Sequence, residues 1–271
     1  MYNMPRFRDD VSVIVPAYNA GLALIDALDS ILKQTLQPAV VHIVDDQSPS
    51  DDAGLARTYI AEHQIKGWYV HQLHENLGAG GARDFGIRNS TTEYIALLDA
   101  DDLWLPDHLA SAFGVIDKFD LTLFGGRTHK MSRGEHVPSK TEEEHITQIC
   151  LDILLLKCYF LTSTVVLKRA SYLDCGGFLP GLKLSEDYSL WLRFAANLNN
   201  RCAVSNLVHA LYRDSDTTTT RRLSKNHWAH ERAELANFRY LHNQDSISSA
   251  QLMLSSGFSF LKYIKRLLTH H

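Results

Sequence analysis

Tyr94-Ile95-Ala96-Leu97-Leu98-Asp99-Ala100-Asp101-Asp102 is an apolar run that ends in three carboxylates. Too short to span a membrane, the run reads as a strand buried on both faces of an α/β sheet. Ligands of open α/β sheets gather beyond the carboxyl ends of the strands, which is where these acids fall. Acids so close repel one another, and a divalent cation is the simplest partner that would hold them together. Oxygen-only ligands select a hard ion, Mg2+ or Mn2+, shared with the phosphates of a substrate. An Asp capping the helix that Pro106 opens is the plainer use, but it needs one carboxylate and leaves the others unexplained.

Outward from this strand, the first half alternates short apolar strands with amphipathic helices. Strands are predicted over residues 11–15, 39–44, 68–72, 94–98 and 121–124. Helices are predicted over 22–34, 52–63, 81–89 and 106–118, the first carrying Leu24, Leu28, Ile31 and Leu32 on one side. This spacing predicts an α/β fold with a mainly parallel central sheet flanked by helices. Residues 127–140 are polar, contain Gly134 and Pro138, and read as a loop. Beyond it the pattern is less regular. Helices are expected over 142–156 and 186–197, strands over 163–167, 202–204 and 207–212, and an exposed loop over 217–222. Two helices, 227–241 and 248–268, close the chain. No repeat or Pro/Gly/Ser linker divides it, so one compact domain with a helical tail is expected.

The 271 residues are 45% hydrophobic and 21% charged, as in an ordinary globular protein. A net charge of −4 gives no electrostatic argument for nucleic acid. The four cysteines form no C-x-x-C pair, which suggests reduced thiols and a cytoplasmic setting. No run of 18 apolar residues exists, and residues 1–10 carry no secretory signal. His71/His74 and His227/His230 are spaced i,i+3 but lack cysteine partners, so they read as ordinary polar residues.

Four loops at strand ends bear chemistry. Val15-Pro16-Ala17-Tyr18-Asn19 breaks a strand at proline and presents an aromatic ring. Asp45-Asp46-Gln47-Ser48-Pro49-Ser50-Asp51 is a turn with caps for the next helix, yet capping does not explain two acids at the strand end. A carboxylate there could accept the ring N–H of a uracil. Asn76-Leu77-Gly78-Ala79-Gly80-Gly81-Ala82-Arg83 opens a helix whose amides and dipole face any anion, and Arg83 adds a positive charge. It fits neither the dinucleotide G-x-G-x-x-G fingerprint nor a Walker loop. Ser185-Glu186-Asp187 begins another helix, where a serine cap with acids in the first turn is the plain alternative.

Together these loops resemble the family 2 glycosyltransferases, inverting enzymes of the GT-A fold. The motifs are residues 11–19, Val44-Asp45-Asp46-Gln47-Ser48, Asn76-Leu77-Gly78 with Ala82-Arg83, Asp99-Ala100-Asp101-Asp102, and Glu186-Asp187-Tyr188 with Leu190-Trp191. They cover about residues 10–215 in the family's order. The resemblance implies that Asp46 reads the uracil, Pro16 and Tyr18 shape the nucleoside pocket, and Arg83 contacts the nucleotide. Asp99 and Asp101 match the DXD metal pair, with Asp101 the direct ligand to Mn2+ or Mg2+ and Asp99 nearer ribose and ion. Asp187 matches the catalytic base, with Glu186 and Trp191 on the acceptor side. The chain departs from the pattern where Asp214-Ser215-Asp216 follows Tyr212-Arg213, leaving a third protein ligand to the metal in question. It also lacks the Q-x-x-R-W signature of processive synthases, which implies one sugar per encounter.

The resemblance further implies a catalytic domain over residues 1–216, with a nucleotide-binding half at about 10–125 and an acceptor half at about 126–216. Residues 217–271 are then a loop, read as a lid carrying Arg221 and Arg222, and C-terminal helices. The expected activity is metal-dependent hexosyl transfer from a nucleotide-diphosphate sugar, a UDP-sugar first, to a hydroxyl of a glycan or lipid-linked acceptor in cell-surface polysaccharide biosynthesis. A peripheral membrane contact through the basic C-terminal helix, at the inner face, competes with packing of that helix on protein. Two other functions share the sheet: a sugar-phosphate nucleotidyltransferase and a non-catalytic nucleotide-sugar-binding module. The first calls for Arg and Lys in a glycine-rich loop near the N-terminus, and residues 15–21 have neither.

Overall fold

The computed structural model describes residues 6–131, 143–213 and 227–269. β1 (Arg6–Ala17) and the opening strand, β4 (Tyr94–Leu97), lie side by side in the middle of the sheet. Their side chains alternate between two cores, as the period of two requires. Val13, Val15, Ala96 and Leu98 face one, while Ile14, Ile95 and Leu97 face the other. That double burial is why the run is apolar at every position.

The first core is closed by α1 (Leu22–Leu32), α2 (Asp52–Glu62) and α4 (His108–Phe119). The second lies beneath α3 (Gly78–Asn89) and a group from the second half: α5 (Leu151–Leu154), α6 (Arg169–Asp174), α7 (Glu186–Ala196) and α8 (His227–Asn243). A final helix, α9 (Ser249–Thr269), packs on α8.

β2 (Leu36–Asp45) and β3 (Trp68–Gln72) continue the sheet from β1, all parallel. On the other side of β4 the order runs β8 (Val166–Lys168), β6 (Leu123–Lys130), β9 (Cys202–Tyr212) and β5 (Leu103–Trp104), with β7 (Ile146–Gln148) also on β9. The sheet is mainly parallel, as expected, with short antiparallel pairings in its second half. β8 is antiparallel to β4 and to β6, and β9 is antiparallel to β5 and β7. β6 and β9 pair in parallel, so the antiparallel pairings are short insertions in the sheet. The helix expected over 142–156 is in its described part β7 followed by the single turn of α5, and β6 runs on to Lys130 where a loop was expected. The lid expected over 217–222 and the departure at Asp214-Ser215-Asp216 lie outside the described residues.

Parallel strands β1, β2 and β4 point their carboxyl ends the same way, so their three loops meet at one edge. The α3 N-terminus and the α7 N-terminus are brought to the same edge by Arg83.

Candidate active site

A cleft of about 630 Å³ opens at that edge. Pro16, Tyr18, Asn19, Asp46, Gly78, Ala79, Arg83, Asp99, Asp101 and Arg213 are among the residues that line it. All six residues expected to bind the donor are therefore in one cavity.

Around Asp46 the backbone is tightly tied. Asp46 accepts the Leu77 amide at 2.7 Å, and Asn76 Nδ2 donates to the Asp46 carbonyl at 3.0 Å. Burial pushes the Asp46 carboxyl above its ordinary range against the pull of the Leu77 and Gly78 amides. Asp52, which sequence reasoning passed over, joins the first two loops. It accepts the Ala20 and Gly21 amides at 2.7 and 3.0 Å and the Ser48 and Ser50 hydroxyls at 2.9 and 2.8 Å. Burial pushes its carboxyl up, but these donors outweigh burial and hold it below the ordinary range. Asn19, Gln47 and Ser185, all on strand-end or helix-start loops of this edge, have positive φ of 53°, 63° and 54°. Left-handed backbone at non-glycine residues is uncommon, and it collects where geometry serves a ligand.

Gly78 begins α3 with φ +76°, where a side chain would be strained. Gly78 and Ala79 of that first turn line the cleft, and the amides at a helix start suit a phosphate.

The three acids after β4 do not converge. Asp99 binds Arg83, Nη2 to Oδ1 at 2.5 Å. Asp102 accepts the Ser163 hydroxyl at 2.5 Å and is pushed up to about 7, first by burial and then by Asp99. Asp101 opens to solvent, and among the described residues no side chain donates a hydrogen bond to it. It too is pushed up, first by the protein bulk around it and then by Asp99. Among the described residues, no three His, Cys, Asp or Glu side chains are grouped to hold a metal. The donor set still fits a hard cation that takes one or two carboxylates here and the rest of its oxygens from phosphate and water. Asp101 is the unengaged carboxylate, and a cation beside it would relieve the repulsion from Asp99.

Arg83 is 5% exposed, and it is the hinge between the two halves. Besides Asp99 it faces Glu186, Nη1 to Oε1 at 3.9 Å, and its guanidinium lies 5.7 Å from the centre of the Phe178 ring. The Asp187 carboxylate also acts on its charge. The expected nucleotide contact of Arg83 thus comes second to neutralising acids. Glu186 is pushed up by burial and then by Asp187. Asp187 is half-buried at the start of α7, with Oδ1 on the Tyr188 amide at 2.6 Å and Oδ2 3.4 Å from the Thr162 hydroxyl. It stands beside the cleft rather than in its lining. Trp191 needs correction. It is fully buried against Phe160, ring centres 6.0 Å apart, and cannot touch an acceptor. Ser163, Thr162 and Arg213 were missed as well. Arg213 lines the cleft, pairs with Asp26 and turns its backbone amide to Asp102.

Among known proteins, the model of the family described as glycosyl transferase family 2 matches residues 12–177. The succinoglycan biosynthesis protein ExoW of Rhizobium meliloti is 32% identical over 200 residues, 69% of this chain and 59% of that protein. The chain spans 27% to 66% of the length of other curated relatives from Rickettsia. An Escherichia coli protein named UDP-Glc:alpha-D-GlcNAc-diphosphoundecaprenol beta-1,3-glucosyltransferase WfgD is 27% identical over 77% of this chain and 78% of its own. Residues 1–349 of S. aureus TarS, solved with UDP-GlcNAc, superpose with a TM-score of 0.65 at 23% identity, over 84% of this chain and 66% of that one. The shared architecture is the GT-A fold.

Proposed function

The chain belongs to glycosyl transferase family 2, and we propose that it is an inverting, metal-dependent glycosyltransferase that moves one sugar from a UDP-sugar to a hydroxyl of a glycan or lipid-linked acceptor. Cell-surface polysaccharide assembly is the setting that ExoW and WfgD suggest. The observation that carries the reading is the Arg83 bridge, which ties Asp99 at 2.5 Å to Glu186 at 3.9 Å. Through it the donor cleft and the proposed base share one wall, though 16 and 103 residues separate Arg83 from the two acids.

The residues divide the work as follows. Asp46 accepts the uracil N–H, with Pro16 and Tyr18 along the nucleoside. The α3 amides take a phosphate oxygen. A divalent cation held by Asp101, with Asp99 beside it, would neutralise charge on the departing diphosphate. Asp187 takes the proton of the acceptor hydroxyl as that oxygen attacks the anomeric carbon from the opposite face, so one displacement inverts the configuration. The Tyr188 amide at the start of α7 aims the Asp187 carboxylate.

The test is release of nucleoside diphosphate from a panel of UDP-, GDP- and dTDP-sugars with Mn2+, Mg2+ or EDTA. Turnover of a UDP-sugar that EDTA abolishes is expected. Failure of every donor, with no UDP bound, overturns the reading.

A further inference from the structure

Helix α9 is inside out. Apart from Leu252 and Tyr263, the side it turns to the protein is polar, and the side it turns away is apolar. Ser255 and Ser259 are 2% and 1% exposed, and Lys262 reaches Glu234 at 2.8 Å. Arg266 reaches the fully buried Glu231 at 3.4 Å. The outward stripe is Leu254, Phe258, Leu261, Ile264 and Leu268, at helical spacing, with Leu254, Leu261 and Leu268 72%, 67% and 74% exposed. A helix on a globular surface normally buries its apolar stripe and shows its charges to water. This one has used its charges to reach the protein and left the apolar stripe for something else.

The surrounding charge says what that partner is. α9 contains no Asp or Glu. The acids of α8, Glu231 and Glu234, are drawn into the seam between the helices. Arg232 and Arg239, the exposed charged residues of α8, are basic, and Asp245 in the turn between the helices is an exposed acid. Trp228, half exposed, lies 5.7 Å from Tyr263, ring to ring, adding aromatics of the kind that sit at head-group level. A second copy of this chain would set basic groups against basic groups across the interface. The geometry points to an anionic lipid bilayer as the partner: the outer face of α8 and α9 is a peripheral membrane-docking surface. No helix among the described residues is long and apolar enough to cross a membrane, so the contact would be one that lies on it.

The face is also joined to the proposed acceptor side. Lys262 donates to the Leu156 carbonyl at 2.9 Å. The loop that follows exposes Leu156, Tyr159 and Leu161, and the next residue is Thr162, which touches Asp187. A bilayer against α9 would lie at the start of this apolar track, a route for a lipid-linked hydroxyl; that last step rests on the proposed role of Asp187.

Flotation of the full chain with vesicles tests the surface without any enzymatic readout. The chain should float with phosphatidylglycerol/phosphatidylcholine vesicles and at least tenfold less with phosphatidylcholine alone. Leu254→Glu combined with Leu261→Glu should lower the partition at least tenfold with UDP binding and thermal midpoint unchanged, both residues being exposed. Arg232→Glu with Arg239→Glu should lower it on anionic vesicles only. Wild-type protein that stays down, a leucine variant that floats like wild type, or a dimer in light scattering that the leucine substitutions dissociate would each overturn the inference. If flotation follows the expected pattern while no nucleotide sugar is turned over, only the enzymatic reading falls.

Discussion

Arg83 carries more of the site than its neighbours do. A guanidinium almost sealed from water beside Asp99 is bound by the logic of buried pairs: removing one member leaves the other uncompensated. Here the stranded group would be an acid already next to Asp101, Asp102 and, on the other side of the guanidinium, Glu186. Arg83→Met should therefore cost about 3–5 kcal/mol of stability, read by urea denaturation. A loss under about 1 kcal/mol would mean that water screens the pair as it does surface pairs. Asp46 and Asp101 could be placed at the cleft from their positions at strand ends, whereas an acid in a first helical turn has a common structural use and only the family resemblance singled out Asp187. Trp191 was not, because the residues from Tyr188 to Ala195 are all buried and no polar face marks which way the indole points. Ser163 was invisible for another reason: its partner Asp102 lies 61 residues away, and no local pattern encodes such a contact.

Two helices illustrate how packing overrides propensity. Gly86 lets α3 sit directly on the sheet; a Cβ there would meet Ile14 at 2.7 Å and Val44 at 3.2 Å. Gly114 in α4 has nothing within 4 Å of the same position. Gly86→Ala should destabilise by about 1–3 kcal/mol through overpacking, and Gly114→Ala should stabilise by roughly 0.5–1 kcal/mol through helix propensity. Equal signs in urea titrations would refute the packing of α3. On β2 and β3, His42 and His71 share a hydrogen bond of 2.9 Å, so one ring must accept and stay neutral. Burial, and then His71, pushes His42 down to about 4, while an unfolded imidazole titrates near 6.5. Between those values the unfolded chain binds more protons, so stability should fall as pH falls from about 6.5 to 4. His42→Gln should flatten that slope in part, since burial lowers His108 as well. An unchanged slope between pH 7 and 5 would contradict the buried pair. Helices and strands of the first half were readable from periodicity. β7 was not, because three residues at the sheet edge take their structure from pairing with β9 rather than from their own pattern.

At the scale of the molecule, the two halves share one sheet but not one logic. Strand–helix alternation built the first half and could be read along the chain. The second half is assembled by the parallel β6–β9 pair, by short antiparallel pairings and by helices that arrive from distant segments. α8 is no appendage: its Phe238 and Leu241 are buried in the second core, which also holds Tyr188 and Trp191. Phe238→Ala should accordingly cost about 3–5 kcal/mol, as for any large core deletion, and a loss below about 1 kcal/mol would return α8 to the status of a tail. The central claim is that such separated segments set Asp187 against a donor held by Asp46 and Asp101. Single-turnover transfer by Asp187→Asn at saturating UDP-sugar and Mn2+ tests it most directly. Transfer should slow by about 10²–10⁴-fold, the usual contribution of a placed general base, with UDP affinity unchanged; wild-type transfer by the variant would contradict the account.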